Sequence, residues 1–323
     1  MYSYSIAIRT LGTNLNLLRR ELESISRQTI EPEKVLIYIA YGYERPDFTI
    51  GKEEYVWVKK GMVTQRALEY REISSDVILM MDDDVELADD SAERMLNAMI
   101  DNDSDCIAAD TYKNQDMTWS QKMVAFAVNL VYERQDDGWA FKQCRNGSFS
   151  YNGMPRKGFY HTETFAGPCW MIKKTVLQAI RLQDELWLDD MEFPYGEDAV
   201  TSYKIYLNGY KNGVLYDSGV INLDAKTSSG SYHKSEKKFH TRSYGMFVIW
   251  WRMIYLSRDK KYLSFVLYLV KAIWLMIVNI MAGIIMRNLK IPYNYVKGIW
   301  DAWKYVHSRE YKAIPPYIVN EIR

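Results

Sequence analysis

The chain predicts an α/β protein with a mostly parallel sheet covered by helices on both faces, followed by an apolar helical region. Two observations predict the sheet. Short apolar runs alternate with segments of helical period through the first two thirds of the sequence, as in consecutive strand–helix–strand units. One of those runs, "DVILMMD" from Asp76 to Asp82, has no polar face, which suits a strand buried on both sides. A third observation predicts the appendage. Beyond Gly245, "GMFVIWWRMIYL" and "YLSFVLYLVKAIWLMIVNIMAGIIM" are strongly apolar, with tryptophans and tyrosines interspersed. A chain of 323 residues suffices for one large α/β domain with such an appendage.

Each element has its own signal. "YSIAIRT" alternates apolar residues and reads as a first strand, and "TNLNLLRRELESISRQT" sets Leu15, Leu18, Leu22 and Ile25 on one helical stripe. Pro32 punctuates the chain before a second strand, "KVLIYIA", and "EYVWVKK" is a third. "VTQRALEYREIS" has helical composition and precedes the fourth strand, "DVILMMD". "SAERMLNAMI" is a helix capped by Asp90 or Ser91, and "DCIAAD" a short strand. The stretch from Thr111 to Glu163 is less regular. It holds an aromatic-rich helix around "WSQKMVAFAVNLVY" and a hairpin turning at Asn146-Gly147. "FAGPCWMIKKTVL" returns to strand-then-helix, and "EDAVTSYKIYLNGYKNGVLYDSGVINLD" is a helix stopped at Gly209 and then two strands.

Charge and cysteine usage narrow the partners. Lysine plus arginine number 41 and so do aspartate plus glutamate, so no global field argues for nucleic acid. The acidic clusters Asp82 to Asp84, Asp89-Asp90, Asp189-Asp190 and Glu197-Asp198 all precede Lys234, past which the chain turns basic and aromatic. Cys106, Cys144 and Cys169 share no metal-ligand spacing and read as reduced, packed thiols of a reducing compartment. No leader-like pattern precedes Ile6, so export by a signal peptide is not expected.

The apolar run from Tyr262 to Met286 is long enough to cross a bilayer, yet it carries Lys271 and Asn279 inside. Its flanks are basic on both sides, with Arg258, Lys260 and Lys261 before and Arg287 and Lys290 after. A single crossing favours one basic end, so helices lying in the interface, or a re-entrant pair, fit better. There Lys271 would extend to the headgroups, and Trp250, Trp251 and Trp274 would sit at the boundary. A helical subdomain packed on the core is the alternative.

Three motifs carry chemistry. Adjacent carboxylates repel and are costly to desolvate, so Asp82, Asp83 and Asp84 at the end of a buried strand need compensation. A Mg²⁺ or Mn²⁺ ion shared with substrate phosphates would supply it. On an extended segment alternation makes Asp82 and Asp84 converge while Asp83 points elsewhere. A solvated acidic cap before the following helix is the alternative. Glu197 and Asp198 in "PYGEDAV" start a helix, where a carboxylate is favoured by the dipole and is also a rigidly aimed general base. In "KKGMVTQRALEY", Gly61 before a helix bearing Gln65 and Arg66 would present backbone N–H groups and a guanidinium to a phosphate or base.

Taken in order, Arg9-Thr10, "SISRQT", "EPEKVLIYIA", Gly61 with Arg66, "ILMMDDDVEL", "FAGPCWMIKK", "GEDAVTSYKIYLNGYKN" and "VINLD" resemble the family 2 nucleotide-sugar glycosyltransferases of GT-A fold, over roughly Ser3 to Asp224. The resemblance implies that Asp82 and Asp84 bind Mn²⁺ or Mg²⁺ and that Asp83, Arg66, Arg9 and Thr10 contact the donor. It also implies Asp198 as general base, beside Glu197. The sequence departs from the family in two places. Where an aspartate-rich turn usually follows the second strand, this chain has "IAYGYERPD", with Tyr41 available to stack on the base. Where a histidine often completes the metal site, "VINLD" offers Asp224, with His233 and His240 as rivals.

The implied reaction is one in-line displacement with inversion at the anomeric carbon. The donor is a nucleotide sugar, most simply a UDP-sugar, and the acceptor a lipid-linked oligosaccharide or a polysaccharide. Residues 1–225 would form the catalytic domain, with 1–110 binding the donor and 111–225 the acceptor and base. Residues 226–323 would attach to the cytoplasmic face of the cell membrane, peripherally or monotopically. A nucleotidyltransferase of related fold and a non-catalytic membrane-bound scaffold are the alternatives.

Overall fold

The protein is described by a computed structural model over residues 2–111, 118–134, 138–153, 157–191, 196–223 and 237–319. The strands are β1 (Tyr4–Thr10), β2 (Val35–Ala40), β3 (Glu53–Val58), β4 (Val77–Asp82), β5 (Val85–Leu87), β6 (Cys106–Ala109), β7 (Tyr132–Arg134), β8 (Phe141–Gln143), β9 (Phe149–Asn152), β10 (Gly158–His161), β11 (Cys169–Lys173), β12 (Asn212–Tyr216) and β13 (Val220–Asn222). Eight of them form one sheet in the order β10-β12-β6-β11-β4-β1-β2-β3. The pairs β1–β2, β1–β4, β2–β3 and β6–β12 are parallel, while β11 runs antiparallel to both neighbours and β10 to β12. The mostly parallel reading therefore holds. β1 lies between β2 and β4 although the chain reaches β2 first, so the strand order switches at β1. In open α/β sheets ligands bind beyond the carboxyl ends of the strands at such a switch.

Alternation along the strands divides the core in two. Ile6, Ile8, Leu79 and Met81 face one cluster with Leu18, Leu22 and Ile25 of α1 (Leu15–Ser26) and with α2 (Ser91–Asp101). Ala7, Ile78 and Met80 face the other, which holds Trp170, Val200 and Tyr203. Asp90 takes the cap position of α2, but its carboxylate bonds Arg94 rather than the helix backbone. The aromatic helix is α3 (Trp119–Asn129), ended by Leu130 in the left-handed region. Its hairpin neighbour turns at Asn146-Gly147 between β8 and β9, as expected. After α4 (Lys174–Ala179) comes a 3₁₀ helix, Leu182–Asp190, and then α5 (Glu197–Leu207), stopped at Gly209.

One helical expectation fails. Residues 62–72 are a succession of turns rather than a helix. Val63 N and Thr64 N donate to the Asp189 carboxylate at 2.9 and 2.8 Å, and the buried Gln65 donates to the carbonyls of Thr10 and Tyr38. These long-range bonds outweigh helix propensity, which is worth only tenths of a kcal/mol per residue.

The C-terminal helices are α6 (Lys237–Trp250) with a π turn over Trp251–Tyr255, α7 (Lys261–Ile285), α8 (Lys290–Val306) and α9 (Arg309–Lys312). They share a core with the sheet domain: Phe247, Trp250, Met253, Val306 and Tyr317 belong to the cluster that holds Trp170 and Val200. Trp250, expected at a membrane boundary, is buried, and its indole N–H donates to the Arg145 carbonyl at 2.9 Å. Lys271 faces inward with Tyr268 and Leu275 instead of extending to the surface. A long amphipathic side chain covers apolar surface either way, and here the body of the protein is nearer than solvent.

A buried ion cluster fastens this region to α5. Glu185 is fully buried and accepts from Lys204 Nζ at 2.6 Å, from Arg252 Nε at 2.5 Å and Nη2 at 2.7 Å, and from the Trp187 indole. Tyr317 Oη donates to the Val200 carbonyl, and Val319 N to Asn208 Oδ1. Removing one partner of a buried ion pair costs about 3–5 kcal/mol. Arg252→Met is therefore expected to lower urea-unfolding stability by about 3 kcal/mol. A loss below about 1 kcal/mol would show that Lys204 alone suffices for Glu185. Removing the chain from Gly245 onward strips this core and is expected to give an unfolded product, detected by lost near-UV circular dichroism.

Candidate active site

Register builds the site. Arg9 and Asp82 are paired residues on the parallel strands β1 and β4, so their side chains leave the same face side by side. Arg9 grips Asp82 through Nε–Oδ1 at 2.5 Å and Nη2–Oδ2 at 3.1 Å. From the turns before β4, Arg66 reaches the same carboxylate, Nη2 to Oδ1 at 2.8 Å. Its Nη1 donates to Glu197 Oε1 at 2.9 Å and Asp198 Oδ1 at 3.0 Å, and its Nη2 also to the Gly167 carbonyl at 2.6 Å. Arg66 thus joins the end of β4 to the start of α5. Buried, with both terminal nitrogens engaged, it holds these carboxylates in place.

The electrostatics follow from this count of charges. Burial works against ionising Asp82, but Arg9 and Arg66 overcome it and hold its carboxyl below the ordinary range. Glu197 is pushed up to about 7, by burial first and by repulsion from Asp198 second, despite the two arginines. The side chain of Asp198 is 32% exposed and that of Glu197 6%. Asp198 is therefore the carboxylate a second molecule can reach. Gly167 makes this possible, because a Cβ there would lie 2.0 Å from Asp198 Oδ1.

At the next position Thr10 leaves the opposite face of β1, and Asp83, the first turn residue after β4, meets it there. Thr10 Oγ1 donates to Asp83 Oδ2 at 2.5 Å, on the side where α1 packs. Burial, aided by Asp82 and Asp84 and opposed by the Thr10 bond, raises Asp83 to about 6. Asp83 and Asp84 form a tight turn between β4 and β5, so the extended-strand argument for convergence of Asp82 with Asp84 does not apply. Asp82 turns instead to the arginines. The Asp84 carbonyl accepts from Leu223 N at 2.7 Å, which stitches the chain entering Asp224 to the aspartate turn. Asp224 and His233 lie outside the described residues.

The remaining predicted residues separate. Tyr41 follows β2 and is 65% exposed. His240 sits on α6 and bonds Asp301 at 2.9 Å, tying α6 to α8. The backbone N–H groups expected to meet a phosphate after Gly61 are taken by Asp189. Among the described residues no three His, Cys, Asp or Glu side chains gather as a metal cage.

Sequence reasoning missed Glu21. It is fully buried on α1, and neither carboxyl oxygen has a hydrogen-bond partner among the described residues. Burial first, then Asp83, Asp82 and Asp84, raises it well above the ordinary carboxyl range. The signal was present: Glu21 stands three residues after Leu18 and four before Ile25, within the apolar stripe. Its folded value exceeds the unfolded one of about 4.3, so its cost is absent at low pH and grows as pH rises. Glu21→Gln is expected to gain melting temperature over the wild type between pH 5 and pH 8, reaching ~2–4 °C per kcal/mol recovered. A difference that does not change with pH would mean that Glu21 has a charged partner.

With the geometry in place, known proteins supply the context. Residues 57–181 match the sequence profile of Glycosyl transferase family 2. The fold is similar to that of S. aureus TarS 1-349 in complex with UDP-GlcNAc, with 12% sequence identity and a TM-score of 0.53, covering 94% of this chain and 81% of that one. GalNAc-T7 with UDP, GalNAc and Mn²⁺ aligns at 12% identity and a TM-score of 0.48, over 81% of this chain and 49% of that one, so the chain spans about half its length. No curated protein is significantly similar in sequence. The matched segment runs from β3 through β4 and the aspartate turn to the end of α4, so this segment is similar to family 2 glycosyltransferases and lies within a GT-A-type α/β fold.

Proposed function

We propose that the protein is an inverting glycosyltransferase that moves a sugar from a nucleotide diphosphate to a hydroxyl of a lipid-linked or polysaccharide acceptor at the cytoplasmic face of the cell membrane. The observation that carries this reading is Arg66, which draws two acidic motifs distant in sequence, Asp82 and Glu197-Asp198, into one site beyond the carboxyl ends of β1 and β4. The fold likeness to an enzyme solved with UDP-GlcNAc supports a UDP-sugar as donor. Residues 1–110 would hold the donor, with Thr10, Asp83 and the exposed Tyr41 at its edge, and residues 111–225 the acceptor. Arg9 and Arg66 act one layer behind, holding Asp82 below the ordinary carboxyl range, while Arg66 also fixes the direction of Asp198.

Mg²⁺ or Mn²⁺ suits the donor set. Such ions take one or two carboxylates together with substrate phosphates, and three adjacent aspartates end β4 at the head of the sheet. Asp84 would hold the ion, while Asp82 stays with Arg9 and Arg66; the further ligand expected at Asp224 lies outside the described residues. When bound, the cation would neutralise charge on the departing diphosphate.

Asp198 takes the proton from the acceptor hydroxyl. The oxygen bonds to the anomeric carbon as the bond to the diphosphate breaks, and the electron pair leaves on the phosphate oxygen. One displacement inverts the configuration. Membrane attachment rests on α7, the one helix among the described residues long and apolar enough to cross a bilayer. Ser264, Tyr268, Lys271, Leu275 and Gly283 pack inward along its length, which favours a helix lying on the surface over one that crosses.

A panel of UDP-sugars with Mn²⁺, monitored for released UDP, tests the activity. Asp198→Asn is expected to lose about 10²- to 10⁴-fold in turnover while UDP affinity by calorimetry is unchanged. Equal loss of both would make Asp198 a scaffold residue. Asp84→Ala is expected to abolish the Mn²⁺-dependent part of UDP binding without lowering the melting temperature. Unchanged Mn²⁺ dependence would remove the aspartate turn from donor binding.

A further inference from the structure

Helix α3 lies within the segment assigned to the acceptor side, and no residue of it is buried. Its composition is nonetheless apolar, with Trp119 77% exposed, Val124 60% and Phe126 50%. A helix this short with no buried face has little to stabilise it in water. It is fixed at its start by a Thr118–Gln121 capping box. Toward its end the indole N–H of Trp274, on α7, donates to the Ala127 carbonyl at 2.6 Å.

That bond makes the exposed faces of α3 and α7 neighbours. α7 buries only a narrow seam and leaves Val270, Ile277 and Ile284 outward, while α8 exposes the stacked pair Trp300 and Trp303. Together these helices expose far more apolar area than the few hundred Å² usual on a soluble monomer. Charge identifies the occupant. From Lys260 to Trp300 the sequence holds no acidic residue, and its exposed bases are Lys260, Lys261, Arg287, Lys290 and Lys297; α3 carries no acid, and its one base, Lys122, pairs with Glu133. Basic residues edging an apolar face rich in tryptophan match the headgroup layer of an anionic bilayer.

We infer that α3, α7 and α8 form one continuous membrane-docking face whose occupant is an anionic lipid surface, with α3 seating the acceptor side of the cleft at the bilayer. The inference rests on the membrane attachment proposed above and adds α3 to it. An acceptor carried on a lipid would then present its hydroxyl from the same plane on which α3 sits. The enzyme would not need to lift the lipid from the membrane.

Flotation of the full chain with phosphatidylcholine vesicles, with and without phosphatidylglycerol, tests this. Wild type is expected to float, and more completely with the anionic lipid. The double variant Trp119→Ser/Val124→Ser changes only exposed side chains and should keep the wild-type melting curve. Its vesicle partitioning should weaken by about tenfold or more, since tenfold is about 1.4 kcal/mol and burying one large apolar side chain contributes about that much or more. The variant Ile277→Asp/Ile284→Asp, on α7, should lose flotation outright. Wild type that fails to float overturns the membrane reading as a whole. If wild type floats, the α7 variant does not, and the α3 variant floats as well as wild type, membrane attachment stands and α3 is excluded from it. A wild-type dimer in solution that the α3 variant dissociates, with flotation unchanged, would assign α3 to self-association and also overturn the inference.

Discussion

A guanidinium buried among carboxylates organises this protein. Arg66 has three acidic partners, Asp82, Glu197 and Asp198, and a backbone carbonyl, all within 3.0 Å. Removing such a cation from water is expensive, and only complete pairing offsets the cost. Each partner is fixed by a different part of the fold: Asp82 by the last position of a central strand, the other two by the first turn of a helix, the carbonyl by the approach to β11. The turns of residues 62–72 exist in the form that delivers Arg66, held by Asp189 on one side and by Gln65 on the other. A regular helix there would satisfy its own backbone but would not serve these long-range partners.

The carboxylates divide by face. Asp82, at the end of β4, turns toward the arginines, and Asp83, in the turn, toward Thr10, on the side where Glu21 has no hydrogen-bond partner among the described residues. One side of the sheet end is therefore balanced internally, and on the other burial raises Asp83 to about 6. That asymmetry supports the proposed placement of a cation and a diphosphate on the Asp83–Asp84 side and of the proton transfer on the Asp198 side.

Much of the fold was legible because strands buried on both faces leave an unmistakable apolar run, as in "VILMMD". The acidic motifs were legible as well, since their position at element ends follows from the same pattern. What could not be read was pairing across the sheet. The Arg9–Asp82 register, the capture of the Gly61 turn by Asp189 and the inward turn of Trp250 depend on residues far apart in sequence. Periodicity sees one element at a time. It placed Lys271 on an apolar helix without showing which neighbour that side of the helix would meet. Glu21 was hidden differently: a single carboxyl within a good apolar stripe reads as noise until the aspartates above it are in place.

The clasp formed by Arg252, Tyr317 and Val319 on α5 has a consequence for synthesis. The helix bearing Asp198 is completed by Tyr317 and Val319, more than a hundred residues downstream of the groups they bond. Such contacts close late, because the entropy of the intervening loop is lost before they form. As the chain emerges from the ribosome, β1, α1, β2, β3 and β4 can assemble well before those partners exist. Asp198 would be locked in place only after residue 319 has left the exit tunnel. A nascent chain would thus pass through a period in which the first four strands are folded and α5 is not yet fastened, and the apolar C-terminal helices would be among the last parts to pack.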